Sequence, residues 1–206
     1  MRHEAVLHPR RQFACPHIVA CEAGLAIECE KVDPKTQTTS SGHSFLDINP
    51  KGSIPALVLT GGEVLTEVPT ILLYLAAQAP DARLLPEQGS LDRYRVQEWL
   101  AFIGTELHKG FDPLWKAAMP TLARQLAVED LHRCIAHLEI CLQGRFYLVG
   151  EQFTVADAYC FTVLSWARFH RVNLLPYGNL GTFMRRIAGR PGVKKALAEE
   201  GLVTAA

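Results

Sequence analysis

No stretch of this sequence approaches the roughly 18 to 20 consecutive apolar residues that a membrane-spanning helix needs. The basic N-terminus, MRHEAVLHPRRQF, is not followed by the apolar run of a secretory signal. A soluble, cytoplasmic protein is therefore expected. Net charge is also missing: 21 lysines and arginines balance 21 aspartates and glutamates, which removes the usual electrostatic reason to expect nucleic acid or an anionic membrane as partner. The six cysteines, Cys15, Cys21, Cys29, Cys134, Cys141 and Cys160, include no CxxC pair and no metal-type cluster with histidine. Neither a disulfide framework nor a zinc site is expected, and the cysteines are read as reduced, mostly buried, small hydrophobes. Internal repeats and low-complexity tracts are absent as well.

What is present is an apolar fraction of 49% over 206 residues, enough for a proper core in one large domain or two small ones. The N-terminal part mixes its signals. A weak strand near Ala5 to His8 is followed by a helix from Pro16 to Ala23 that stops at Gly24, where a left-handed cap needs no Cβ. LAIECEKVD then alternates as a strand, SFLDINP forms a short helix or turn, and SIPALVLTGGEVLTE reads as two strands joined at Gly61-Gly62. VPTILLYLAAQAP is a mostly apolar helix. Strand, helix, strand, hairpin and helix in this order predict a small α/β domain over residues 1–80.

DARLLPEQGS, residues 81–90, has the composition of a linker. From 91 to 206 the pattern is helical throughout, so an all-helical domain is predicted there. In LARQLAVEDLHRCIAHLEICLQ, Leu131, Ile135, Leu138 and Leu142 recur at helical spacing, and Cys134 and Cys141 beside them are read as core packing. Thr154 followed by Asp157 has the form of a reciprocal helix N-terminal cap.

Two stretches carry chemistry. In NPKGSIPALVLTGGEVLTE, Pro55 enters a strand to which it cannot donate a hydrogen bond. Either it is an unremarked edge residue, or a cis bond turns the Ile54 backbone toward an extended ligand. Glu67 precedes a helix start, where a carboxylate and free N–H groups together suit a zwitterion; its plain alternative is a first-turn acid. In the first long helix, Ala101, Thr105, His108 and Asp112 step by four, three and four along one face, flanked by Lys109. Leu100, Ile103, Leu107 and Phe111 form the opposite, apolar stripe. The polar face is either solvated or turned into a cleft.

Taken together, PHIV..EAGL, INPKGSIPAL, GEVLTE, ILLYLA, EWLAF, ELHKGF, FTVADAY and RPGV..AL.EEGL resemble, in order and from about Cys15 to Leu202, the bacterial beta-class glutathione transferases. The resemblance implies a two-domain fold, a thioredoxin-like α/β domain followed by an all-α helical domain. It also implies glutathione as co-substrate, a homodimer, a detoxification role and no metal. By matching motif, Ile54 and Pro55 correspond to the clamp on the cysteinyl part of glutathione, with Pro55 cis, and Glu67 and Val68 to the contacts at its γ-glutamyl end. His108 and Lys109, with Thr105 beside them, correspond to the helical-domain residues of the site. Trp166, with Trp115, corresponds to an apolar lining for the electrophile.

The chain also departs from that pattern. The family's active-site cysteine falls on Gln12 and its serine on Cys15; its glutathione-contacting lysine falls on Gln37, and an asparagine of the first long helix on Ala101. Two mechanisms follow. In the first, a helix N-terminus, the Gln12 amide and His108 stabilise the thiolate of glutathione, which attacks a small hydrophobic electrophile without any protein cysteine. In the second, CPH places Cys15 at a helix cap, as in glutaredoxins, where it forms mixed disulfides. The choice turns on where the helix starts: at Pro16 the thiol caps it, near Phe13 the thiol is already inside its first turn. A glutathione-binding protein with weakened chemistry is the reading from a different class. Cys21, farther along the same helix, is assigned to packing.

Overall fold

The computed structural model describes the backbone of residues 3–7 and all of residues 14–202. Two compact units divide the chain: residues 1–85 with 190–206, and residues 86–189. In the first, β1 (His3–Leu7), α1 (Ala14–Ala23) and β2 (Ile27–Asp33) form a βαβ unit whose strands pair in parallel, His3 opposite Ile27 and Leu7 opposite Lys31. The two-residue strand β3 (Thr38–Thr39) pairs antiparallel with the far side of β2. After the one-turn helix α2 (Phe45–Ile48), β4 (Ala56–Val58) and β5 (Val64–Thr66) form the predicted hairpin, and β4 lies antiparallel to β1. The sheet order is β3-β2-β1-β4-β5. Gly62, at φ 86°, makes the hairpin turn that residues with a Cβ seldom make. Helix α3 (Val68–Gln78) closes this part and packs against α1.

Val32, Phe45 and Ala56 bring β2, α2 and β4 into one buried cluster, and Ile48, Ile54 and Val58 pack onto it. The half-buried side chain of Ile54 thus anchors the entry to β4 against that cluster. Asn49, 2% exposed, ties the loop between α2 and β4 by donating to the Ser53 carbonyl at 2.6 Å and accepting from the Lys51 amide at 3.2 Å.

The second unit holds α4 (Leu91–Phe102), α5 (Lys109–Phe111), α6 (Thr121–Cys141), α7 (Val155–Ser165), α8 (Ala167–His170) and α9 (Gly178–Ala188). Ser90 caps α4 by accepting from the Arg93 amide at 3.2 Å. The predicted apolar stripe is buried: Leu100, Ile103, Leu107 and Phe111 are at most 1% exposed. Leu131, Ile135, Leu138 and Leu142 of the α6 stretch are buried with them, and every residue from Val155 to Leu164 in α7 is buried, as befits a helix apolar all round. The capping box at its start is formed, Thr154 and Asp157 serving each other's backbone. Gly110 is required by packing, since a Cβ there would stand 2.8 Å from Leu131.

Three expectations are corrected. The first long helix does not run uniformly from Leu91 to Phe111: residues Ile103–His108 widen into a π-helical turn, which sequence spacing cannot reveal because it depends on how the flanking turns pack. The last helix, α10 (Pro191–Glu199), belongs with the first unit rather than with the helical one. It packs along α1, where Arg190 pairs with the buried Glu22, and Gly192 admits the Glu22 stem that any Cβ would strike at 2.7–2.8 Å. The cysteines are not mostly core: Cys15 and Cys160 are buried, Cys21, Cys134 and Cys141 are half-buried and Cys29 is exposed. Among the described residues no helix is long and apolar enough to cross a membrane.

Candidate active site

In the first unit the loop 49–55 and the start of α3 bring together the residues expected at one end of glutathione. The Ile54–Pro55 bond is cis. Pro55 is buried, and Ile54 lies just before β4, so its backbone falls beyond the paired positions of the β4–β1 and β4–β5 ladders. Glu67 is the N-cap residue of α3, at φ 68° and ψ 120°, a backbone that a residue with a Cβ adopts only where its surroundings impose it. Its side chain makes no cap bond. Instead it is exposed and accepts from Lys51 Nζ at 2.9 Å, while the same ammonium donates to Thr66 Oγ1 at 2.7 Å.

A helix start with no side-chain cap, next to an accessible carboxylate, can take the carboxylate of a zwitterion on its N–H groups and the ammonium on its acid. Here the ammonium on that acid is Lys51. It was not singled out from the sequence, nor was Asn49, although both lie in the NPKGS stretch; what gives them their places is the turn of the loop rather than a spacing rule. Gln37 sits beyond β2 in left-handed backbone, φ 55°. Its Nε2 donates to the Pro34 carbonyl at 3.0 Å and its Oε1 is buried without a hydrogen-bond partner, facing the Gly52 backbone.

Cys15 lies in α1, helical over the described residues Ala14–Ala23, and only 1% of it is exposed. Gln12 lies outside the described residues.

The second unit carries the other expected group. His108 ends the π-helical turn; its Nδ1 shares a hydrogen with the Tyr159 hydroxyl at 2.7 Å, and its ring meets the Trp166 ring edge-on at 4.9 Å. Tyr159, within VADAY, therefore sets the orientation of His108, a role hidden by reading that motif only as a cap. Thr105 turns its hydroxyl back onto the Ala101 carbonyl, 3.1 Å, and Lys109 pairs with Asp112 at 3.1 Å. Trp166 is 2% exposed and packs with Phe111 and Trp115, of which Trp115 is the partly exposed member.

Residues 16–78 match the N-terminal domain model of glutathione S-transferases, and residues 114–191 the C-terminal domain model. Glutathione S-transferase GstA of Escherichia coli is 39% identical over 186 residues, which cover 90% of this chain and 92% of that one. The chain belongs to the glutathione S-transferase family. Its fold is that of the family's bacterial members. A sphingomonad glutathione S-transferase solved with glutathione superposes with a TM-score of 0.93 at 41% identity, covering 97% of this chain and 100% of that one. The beta-class enzyme of Sphingomonas chungbukensis gives 0.93 at 40%, with the same coverage.

Proposed function

We infer that this protein is a glutathione transferase that binds glutathione and promotes attack of its thiolate on small hydrophobic electrophiles. The observation that carries the reading is Glu67, held in left-handed backbone at an uncapped helix start with its carboxylate turned outward. In this assignment the γ-glutamyl ammonium replaces Lys51 on Glu67, the γ-glutamyl carboxylate takes the Val68 end of α3, and the backbone of Ile54 pairs with the cysteinyl residue. Gln37 serves the glycyl side in place of the family's lysine. Thr105, His108 and Lys109 are the contacts contributed by the helical unit, and Trp115, backed by Trp166, is the apolar surface for the electrophile. Lowering a thiol pKa of about 8.5 by one to two units requires roughly 1.4 to 2.7 kcal/mol of differential stabilisation. A helix N-terminus with one or two donors, Gln12 and His108 among them, can supply that. A homodimer in the cytoplasm with a role in detoxification completes the assignment.

Cys15 favours conjugation over thiol-disulfide exchange, because a thiol 1% exposed inside a helix turn cannot meet a mixed disulfide without local opening. The test is glutathione binding by calorimetry, with turnover of a chloronitroaromatic and of a mixed disulfide compared for wild type and Cys15→Ser. Binding with unchanged conjugation by the variant is expected. No heat at millimolar glutathione would overturn the assignment, and disulfide exchange lost with Cys15 would transfer it to an oxidoreductase.

A further inference from the structure

HIVAC, in α1, places His17 and Cys21 four residues apart, hence on one helix face. The fold sets the end of α10 beside them. His17 is 6% exposed, and both of its ring nitrogens meet carboxylates: Nε2 lies 2.8 Å from Glu199 Oε2 and Nδ1 lies 3.1 Å from Glu200 Oε1. One ligand atom each from His17, Cys21 and Glu199 lies within 4.8 Å of the others. Two glutamates at the C-terminal end of a helix oppose its dipole, so their placement needs a compensating positive charge. In the protein as described, the His17 ring lies between them and contacts both carboxylates.

We propose that His17 Nε2, Cys21 Sγ and the Glu199 carboxylate form a binding site for a zinc-class divalent cation, with water in the fourth position, that fastens α10 to α1. An imidazole, a thiolate and a carboxylate are the donor set zinc takes, and thiolate plus carboxylate neutralise its two charges. With zinc–sulfur near 2.3 Å and zinc–nitrogen and zinc–oxygen near 2.0 Å, donors across a tetrahedron stand about 3.3 to 3.5 Å apart. A separation of up to 4.8 Å therefore closes by about an ångström, while His17 Nε2 and Glu199 Oε2, 2.8 Å apart, open by about half an ångström. The ion takes the place of the proton between His17 and Glu199, and binding releases that proton and the Cys21 thiol proton to solvent. Nδ1–H continues to donate to Glu200, which thereby fixes the ring and its tautomer as an outer-shell carboxylate. The Glu199 side chain is half exposed, so an ion can enter from solvent. None of these residues belongs to the transferase site, and the proposal does not rest on that assignment.

Titration of metal-free full-length protein with cobalt(II), and with zinc(II) by calorimetry, tests this. One equivalent should bind at micromolar concentration, giving thiolate-to-cobalt charge-transfer absorption, the visible bands of a tetrahedral ion and a raised melting temperature. Cys21→Ser should abolish the charge-transfer band, Glu199→Gln should weaken binding at least tenfold, and Glu200→Gln should cost about 10- to 100-fold. Glu199, with its half-exposed side chain, keeps the test independent of any folding defect at Cys21. His137 and Cys141 form a second four-residue pair on α6, with sulfur 3.6 Å from Nε2, so Cys141→Ser is the control and should change nothing. No one-to-one binding, a band that survives Cys21→Ser, or a band lost with Cys141→Ser would each overturn the proposal.

Discussion

Replacing Asp157 by alanine should be among the most damaging single changes outside the transferase site. Its carboxylate is fully buried and accepts from the Leu148 amide at 2.8 Å, the Thr154 amide at 2.8 Å and the Thr154 hydroxyl at 3.0 Å. Alanine orphans two buried backbone donors, each costing about 1 to 3 kcal/mol. It also unties the loop before α7, a helix buried on all sides. Relief of the buried charge offsets part of this, so a net loss of about 3 kcal/mol is expected. In a chain of this size that lowers the melting temperature by about 6 to 12 °C.

Asparagine separates packing from charge. Burial pushes the Asp157 carboxyl from 3.8 up to about 6, against the hydrogen bonds from Leu148 and Thr154 that pull it down. The folded state therefore keeps its proton up to about pH 6, whereas the unfolded chain releases it near 3.8. The associated stability is present in full below about 3.8 and is lost as pH rises through about 6. Asparagine cannot titrate, so the wild type should gain on Asp157→Asn by up to about 3 kcal/mol between pH 7 and pH 4. Urea unfolding across that range measures both effects. An alanine variant within about 0.5 kcal/mol of wild type, or a difference between wild type and asparagine that stays flat with pH, would refute the reasoning.

Glu67→Ala should weaken glutathione binding by about 1.5 to 3 kcal/mol without loss of stability, because its side chain is 69% exposed; unchanged affinity in calorimetry would tell against the site. Glu67→Gly should weaken binding in the same way while stabilising the fold by about 1 kcal/mol, since glycine relieves the φ of 68°. Gly192→Ala should cost about 1 to 3 kcal/mol in urea unfolding because its Cβ meets Glu22 at 2.7–2.8 Å. Adding Glu22→Ala should remove that clash, and strictly additive losses in the double variant would refute it.

Local chemistry made much of this protein legible in advance. Glycine pairs mark the hairpin, Gly24 at φ 68° ends α1, Thr154 and Asp157 cap α7, and the Leu100, Ile103, Leu107 and Phe111 stripe finds the core, because each depends on backbone geometry within a few residues. The strand and helix order of residues 1–80 follows from alternation and turn residues alone. The cis bond before Pro55 was one of two readings of a proline entering a strand, and the loop held by Asn49 is where it is found.

Other properties depended on residues far apart in the chain, to which periodicity is blind. A helical pattern in residues 191–199 says nothing about which unit its apolar face will cover; the Arg190–Glu22 pair and the space at Gly192 decide that. The π-helical turn before His108 and the Tyr159 hydroxyl that orients it arise from packing between helices. The sequence reads Cys15 as a candidate nucleophile and Cys21 as packing. The tertiary structure instead encloses the first in the core and sets the second, half-buried, beside His17 and Glu199, because a helix distinguishes its residues by what packs against each face.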